Sequence, residues 1–299
     1  MSIKDAIILQ CEKVSFNVPM KKHTTFRIGG ECDIFCEPKN AYELAGLIRL
    51  LNENNQSYIV LGNGSNVLVS DEGIRGVVIK IGEQMSEVSV CGEEITSGAG
   101  ILLSRLSKRA MNESLSGMEC ISGIPGSVGG AVYMNAGAYG AEIADILQSL
   151  TYVSREGEII TLEKADLNLG YRKSVFMENG GIVTSCVLKL KKGDKEKIAQ
   201  DMAEVTKKRV EKQPLELPSA GSTFKRPQGY FAGALIEECG LKGYSVGGAK
   251  VSEKHAGFVV NFDNATANDV LAVIEHVQKT VYEKFGVGLE PEVKFIGIN

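Results

Sequence analysis

Apolar residues recur at intervals of three and four in some stretches of the chain and alternate with polar ones in others. Leu44, Leu47, Ile48 and Leu51 form one apolar stripe. It predicts a helix over residues 41–53, opened by Asn40, whose side chain suits the free N–H groups of a first turn, and stopped at Asn54-Asn55. Val270, Ile274, Val277, Val281 and Phe285 mark a longer helix. It begins at Thr266, with Asp269 three residues on in the spacing of a capping box, and ends at Gly286. Residues 101–111 and 232–239 predict shorter helices, and residues 194–212 a charged helix that is polar on most faces. Strands are expected at 58–61, 74–81, 87–96 (turning at Cys91-Gly92), 182–190, 246–251 and 257–262. A hairpin is expected at 150–154 and 158–162 around Glu156-Gly157. Helices and strands mix without strict alternation, which gives an α+β protein. The shift to a charged helix after Lys191 places a domain boundary between residues 192 and 193.

Two stretches fall outside this periodicity. Residues 62–71 read GNGSNVLVSD and residues 122–140 read SGIPGSVGGAVYMNAGAYG, both rich in glycine and nearly free of charge. Glycine lets a backbone adopt positive φ and lets another molecule approach the peptide groups closely. One such loop is as well explained by a tight turn. Two of them, with Asn66 and Asn135 inside, point to a large phosphate-bearing ligand held mainly by backbone N–H groups. The familiar nucleotide motifs do not fit. Gly62-Asn63-Gly64 opens like a dinucleotide fingerprint but has Val67 at the third glycine and a strand-like run after it. Residues 243–250 imitate a phosphate loop but place Ala249 at the lysine position, and Lys250-Val251 completes neither Lys-Ser nor Lys-Thr.

Bulk properties narrow the class further. A net charge of −4 excludes a general nucleic-acid or anionic-membrane binder. Seven cysteines form no regular framework, and the one close pair, Cys32 and Cys36, lacks a second pair to complete a zinc site. They read as small apolar residues in a reducing compartment. The histidines His23, His255 and His276 are scattered, so no metal is expected. The apolar run at residues 6–9 is too short for a signal-peptide core, and no stretch approaches the ~20 apolar residues of a membrane span, so a cytoplasmic location is expected.

Seven segments then occur in a telling order: TTFRIGG (24–30), LGNGSNVLVSD (61–71), the second glycine-rich stretch, GYRKSVF (170–176), AGSTFKRP (220–227), HAGFVVN (255–261) and LEPEVKFIG (289–297). Together they resemble, over nearly the whole chain, the UDP-N-acetylenolpyruvoylglucosamine reductase (MurB) family of flavoenzymes in bacterial peptidoglycan synthesis. The short span between Arg172 and Ser222 is similar to the compact second type of that family, which lacks the inserted segment whose tyrosine closes over substrate.

The resemblance implies a two-subdomain FAD-binding fold similar to the vanillyl-alcohol-oxidase/PCMH type over residues 1–192, with subdomains of about 1–80 and 81–192. A C-terminal α+β substrate domain follows over residues 193–299. It implies non-covalent FAD, NADPH as electron donor, and reduction of UDP-N-acetylglucosamine enolpyruvate to UDP-N-acetylmuramate. No nucleic acid or membrane partner is implied. By the same resemblance Gly62, Asn63, Gly64, Ser65, Asn66 and Val67 surround the pyrophosphate, and Arg27 lies near the cofactor. Ser122, Gly123, Ile124, Pro125, Gly126, Gly129, Ala131, Asn135, Gly137, Ala138 and Tyr139 line the isoalloxazine and ribityl side. Arg172 offers a guanidinium fork to the substrate carboxylate. Ser222 matches the proton donor. Glu292 matches the glutamate that helps to stabilise or protonate an enol, a role that requires it to be held protonated. Tyr139, Lys225 and Arg226 are expected on substrate, with Lys250, Lys254 and His255 as lesser contacts; Arg226 stands where the longer type has asparagine. Two other readings share the loops. An oxidase of the same fold would lack the Arg172, Ser222 and Glu292 set, and a non-catalytic nucleotide- or sugar-binding protein would be colourless.

Overall fold

The computed structural model describes residues 2–298. The chain forms two compact units, each assembled from separated stretches. The first takes the chain up to Phe16, then Ile34–Asn63 and Gly76–Lys207; the second takes Asn17–Asp33, Gly64–Arg75 and the chain from Lys208 onward. A cut at 192/193 falls between the strand Lys191–Lys192 and the helix Lys195–Lys212. The stretch Gly64–Arg75 joins the second unit for a physical reason. The strand Val67–Val69 pairs in parallel with Lys294–Ile296, and the Asp71 carboxylate accepts from the backbone N–H of Ala267 at 2.8 and 2.9 Å.

The first unit is built on a five-stranded antiparallel sheet in the order Ile159–Glu163, Leu147–Val153, Ile182–Lys189, Glu94–Gly98, Val88–Cys91. The expected hairpin around Glu156-Gly157 forms its edge. A four-stranded sheet runs in the order Val14–Pro19, Glu31–Cys36, Ile74–Lys80, Tyr58–Leu61, and its last two strands are parallel. The helix Ala41–Glu53 buries Leu44, Leu47, Ile48 and Leu51, and the Asn40 side chain accepts from the Glu43 N–H at 2.9 Å. A helix at Ile3–Gln10, absent from the sequence expectation, is closed by a capping box between Ser2 and Asp5 but buries only Ile7, so it leaves no apolar stripe to read.

In the second unit the helix Ala267–Phe285 buries Val270, Val273, Ile274, Val277 and Val281. It packs on the antiparallel strands Ser245–Val246, Ala249–Val251 and Val259–Asn261. Its capping box and its end at Gly286, with φ of 68°, are as the sequence predicts. The single strand expected at 246–251 is instead two strands, because Gly247 turns the chain at φ 51°.

Candidate functional site

Strand Tyr58–Leu61 delivers Gly62 and Asn63 to its C-terminal end in the first unit. The Asn63 amide donates to the Pro125 carbonyl at 2.5 Å, which ties the two glycine-rich segments together. The second segment is not a simple loop, because Val128, Ala131 and Val132 bury one face of a helix at Val128–Tyr133. Gly129 serves that packing: a Cβ there would lie 2.9 Å from the Ala99 Cβ. Over Gly62 stands Ser127, whose Oγ would meet a Gly62 Cβ at 2.7 Å and a Gly130 Cβ at 3.5 Å. Ser127 is 2% exposed, and its hydroxyl has no hydrogen-bond partner among the described residues. A buried hydroxyl left in that state costs about 1–3 kcal/mol. A buried, orphaned hydroxyl packed against the side-chain-free backbone of Gly62 and Gly130 suits a phosphate-bearing group, so the residues present fit FAD. The sequence reading names Gly126 and Gly129 but passes over Ser127. Ser127 precedes the helix, where a serine ordinarily caps, yet here its side chain makes no cap.

The remainder of the segment is held by its own side chains. Ser122 donates to the Glu119 carbonyl at 2.7 Å, and the Gly126 carbonyl accepts from the Leu103 N–H at 3.0 Å. Asn135, 1% exposed, donates to Glu142 Oε2 at 2.7 Å and the Gly170 carbonyl at 3.0 Å, and accepts from the Ala144 N–H at 3.2 Å. Its amide therefore fixes the loop. Gly137–Ala138 pairs with Ala141–Glu142, leaving Tyr139 at the turn, 43% exposed. Arg172 donates to the Asn135 and Gly137 carbonyls at 3.4 Å each, and its guanidinium lies 5.1 Å over the Tyr171 ring. Structure thus brings Asn135, Gly137 and Arg172 together on one side of the first unit.

Backbone strain marks the same residues. Among the described residues, Asn17, Asn55, Asn135, Asn168, Asn264, Ser114, Arg27, Tyr139 and Arg172 are the non-glycine positions with positive φ. Asparagine tolerates that conformation, whereas arginine and tyrosine rarely adopt it. Arg27 at 56°, Tyr139 at 54° and Arg172 at 53° are all candidate site residues. Each such residue costs on the order of 1–3 kcal/mol, which persists only where the surroundings impose it.

In the second unit, residues 222–225 run antiparallel to residues 290–292. The Lys225 N–H donates to the Glu290 carbonyl and the Glu292 N–H to the Thr223 carbonyl, both at 2.8 Å. Thr223, 1% exposed, accepts from the Val259 N–H and anchors this ribbon. Ser222 is exposed, its hydroxyl donating to the Phe224 carbonyl at 3.3 Å, and Glu292 beside it is half-buried. Lys225 forms an ion pair with Glu290. Arg226 lies 4.0 Å over the Phe231 ring. The Asn66 amide donates to the Glu292 carbonyl at 3.2 Å, so Asn66 braces the glutamate's backbone. Gly64, at φ 67°, packs so closely that a Cβ would lie 2.1 Å from the His23 carbonyl. Arg27 lines a cleft of about 670 Å³ with Lys21, Glu31, Asp71 and Asn261. Of the lesser candidates, Lys250 pairs with Glu253, Lys254 with Glu216, and the His255 imidazole accepts from the Gly257 N–H. Burial pushes the His255 pKa below its ordinary value.

Residues 32–163 match the FAD binding domain family, and residues 213–296 match the family described as UDP-N-acetylenolpyruvoylglucosamine reductase, C-terminal domain. The α+β fold with these two regions defines an FAD-dependent oxidoreductase. Over 291 residues the chain is 54% identical to the UDP-N-acetylenolpyruvoylglucosamine reductase of Agathobacter rectalis, covering 93% of this chain and 92% of the relative. It is 50% identical over 294 residues to the protein of that name from Lachnoclostridium phytofermentans, covering 97% and 95%. The crystal structure of UDP-N-acetylenolpyruvylglucosamine reductase from Thermus caldophilus matches with a TM-score of 0.83 at 39% identity, covering 95% of this chain and 99% of that one. The chain belongs to the UDP-N-acetylenolpyruvoylglucosamine reductase family. No helix among the described residues is long and apolar enough to cross a membrane.

Proposed function

We propose that this protein reduces the enolpyruvyl group of UDP-N-acetylglucosamine enolpyruvate to give UDP-N-acetylmuramate, with NADPH as electron donor. The observation that carries this reading is the 54% identity over 291 residues to a UDP-N-acetylenolpyruvoylglucosamine reductase, beside the match of residues 32–163 to an FAD binding domain and of residues 213–296 to the reductase C-terminal domain. When bound, FAD supplies two-electron chemistry, accepting hydride from NADPH and delivering hydride to the vinyl CH2 carbon of the substrate.

This chain's residues do the rest. Gly62, Asn63, Gly64, Ser65, Asn66 and Val67, with Ser127, hold the pyrophosphate; Ser122 to Gly126, Gly129, Ala131 and Asn135 to Tyr139 shape the flavin side. Arg27 adds a cation near the cofactor. As the CH2 becomes CH3, the electron pair moves onto the carbon bearing the carboxylate and forms an enol-like dianion. Arg172 presents two parallel N–H donors to that carboxylate, the geometry in which a guanidinium binds most strongly. The Ser222 hydroxyl gives its proton to the carbon, and Glu292, on the adjoining strand, stabilises the enol oxygen by hydrogen bonding. Lys225 and Arg226 take the uridine diphosphate end, and Tyr139 touches substrate as well as flavin. Residues 1–192 form the FAD-binding domain, which also supplies Arg172 and Tyr139 to the substrate, and residues 193–299 form the C-terminal substrate-binding domain. The reaction belongs in the cytoplasm, where it feeds cell-wall growth and hence cell shape and division.

Incubation of the protein with NADPH and the enolpyruvyl sugar tests the reading. A product heavier by two hydrogens, with NADPH consumed in equal amount, is expected. NADPH consumption that needs oxygen and leaves the sugar unchanged would overturn it.

A further inference from the structure

Lys80 ends the strand Ile74–Lys80, in register with Leu61 of the parallel neighbour, the residue before Gly62. A lysine at the buried end of a parallel strand pair needs a reason, since desolvating an ammonium is unfavourable. Its reason lies one residue beyond the register: the Lys80 ammonium donates to the Gly62 carbonyl. The peptide joining Gly62 to Asn63 is thereby held at its oxygen, while the Asn63 side chain is held by the Pro125 carbonyl at 2.5 Å. In a trans peptide the C=O and N–H point in opposite directions, and the described residues contain no cis bond. A carbonyl turned toward Lys80 therefore turns the Asn63 N–H away from it.

We infer that Lys80 is a positioning residue for FAD, fixing the Gly62–Asn63 peptide so that its N–H is presented to the cofactor's pyrophosphate. This rests on the proposal that residues 62–67 hold that group. Burial brings the Lys80 pKa down to about 8, with Glu37 opposing the shift. Other charges around it are already paired: Glu37 with Lys13 at 2.6 Å, and Glu83, in the Glu83–Met85 turn after Gly82, with Arg105 at 2.5 Å. A Cβ at Gly82 would lie 3.5 Å from the Lys80 stem. An anionic ligand favours the charged lysine, so binding raises its pKa. By linkage, FAD affinity is full below about pH 8 and weakens as pH rises through that value.

The test is the dissociation constant of FAD, read from flavin fluorescence, for the flavin-stripped full chain and its K80M and K80R variants between pH 6.5 and about 9.5. The wild type is expected to weaken severalfold across this range. K80M is expected to bind tenfold or more weakly at neutral pH with a flat profile. K80R is expected to bind with a flat profile, because a guanidinium stays charged throughout. Wild-type affinity in K80M at neutral pH would overturn the inference, as would a K80R profile that falls like the wild type. Should K80M fail to fold, the K80R profile decides by itself. A wild-type chain that binds no FAD at any pH overturns the cofactor reading, and this inference with it.

Discussion

An aliphatic hydroxyl is a poor acid, and the Ser222 hydroxyl donates to the Phe224 carbonyl at a long 3.3 Å. Its suitability as a donor rests on placement: Ser222 is exposed at the start of a ribbon whose Thr223 is buried and bonded to Glu292 and Val259, which keeps the backbone still. A positioned general acid contributes ~10²–10⁴-fold. Ser222→Ala should therefore slow reoxidation of the flavin by the enolpyruvyl sugar by about that factor while leaving its reduction by NADPH nearly unchanged, as stopped-flow absorbance would show. Equal slowing of both halves would remove Ser222 from the proton-donor role. Single residues were also where the sequence was read least completely. Arg172 and Tyr139 were identified through their motifs, but their left-handed backbone, the independent sign of an imposed conformation, has no signature in side-chain identity. Ser127, inside the same glycine-rich run, carries no sequence signal of its own and is a buried, orphaned donor.

Elements with strong local rules were legible. The helix Ala267–Phe285 announced itself through Thr266, Asp269 and Gly286, and the structure contains each of those contacts. Asp269 accepts first from the Thr266 N–H and also from the Gly248 N–H, which holds its carboxyl below the ordinary pKa. A carboxyl with a lowered folded-state pKa adds stability that is present above its unfolded value and is lost as pH falls through the folded one. Asp269→Asn should consequently be less stable than the wild type at pH 7, and the gap should close as pH drops below about 4. Urea midpoints at several pH values would show this, and a gap that stays constant would remove the charge from the account. Elements without such rules were not legible. Ile3–Gln10 buries one residue, and Val128–Tyr133 hides inside a run of glycines that reads as loop.

At the scale of the whole molecule, the class and family followed from motif order, yet the division into compact units did not. Their makeup depends on pairings such as Val67–Val69 with Lys294–Ile296 and Asp71 with Ala267, whose partners lie some two hundred residues apart and carry no local trace. The sequence could place chemistry in each region but could not show that residues 64–75 are built into the unit that bears Ser222 and Glu292. The central claim is that one chain carries a flavin that takes electrons from NADPH and passes them to the enolpyruvyl sugar. Its most direct test is the anaerobic visible spectrum of the purified holoprotein, with NADPH added first and the sugar second. The account predicts a yellow protein that bleaches with NADPH and recolours on addition of the sugar. A protein that bleaches but recolours only when oxygen is admitted would contradict it.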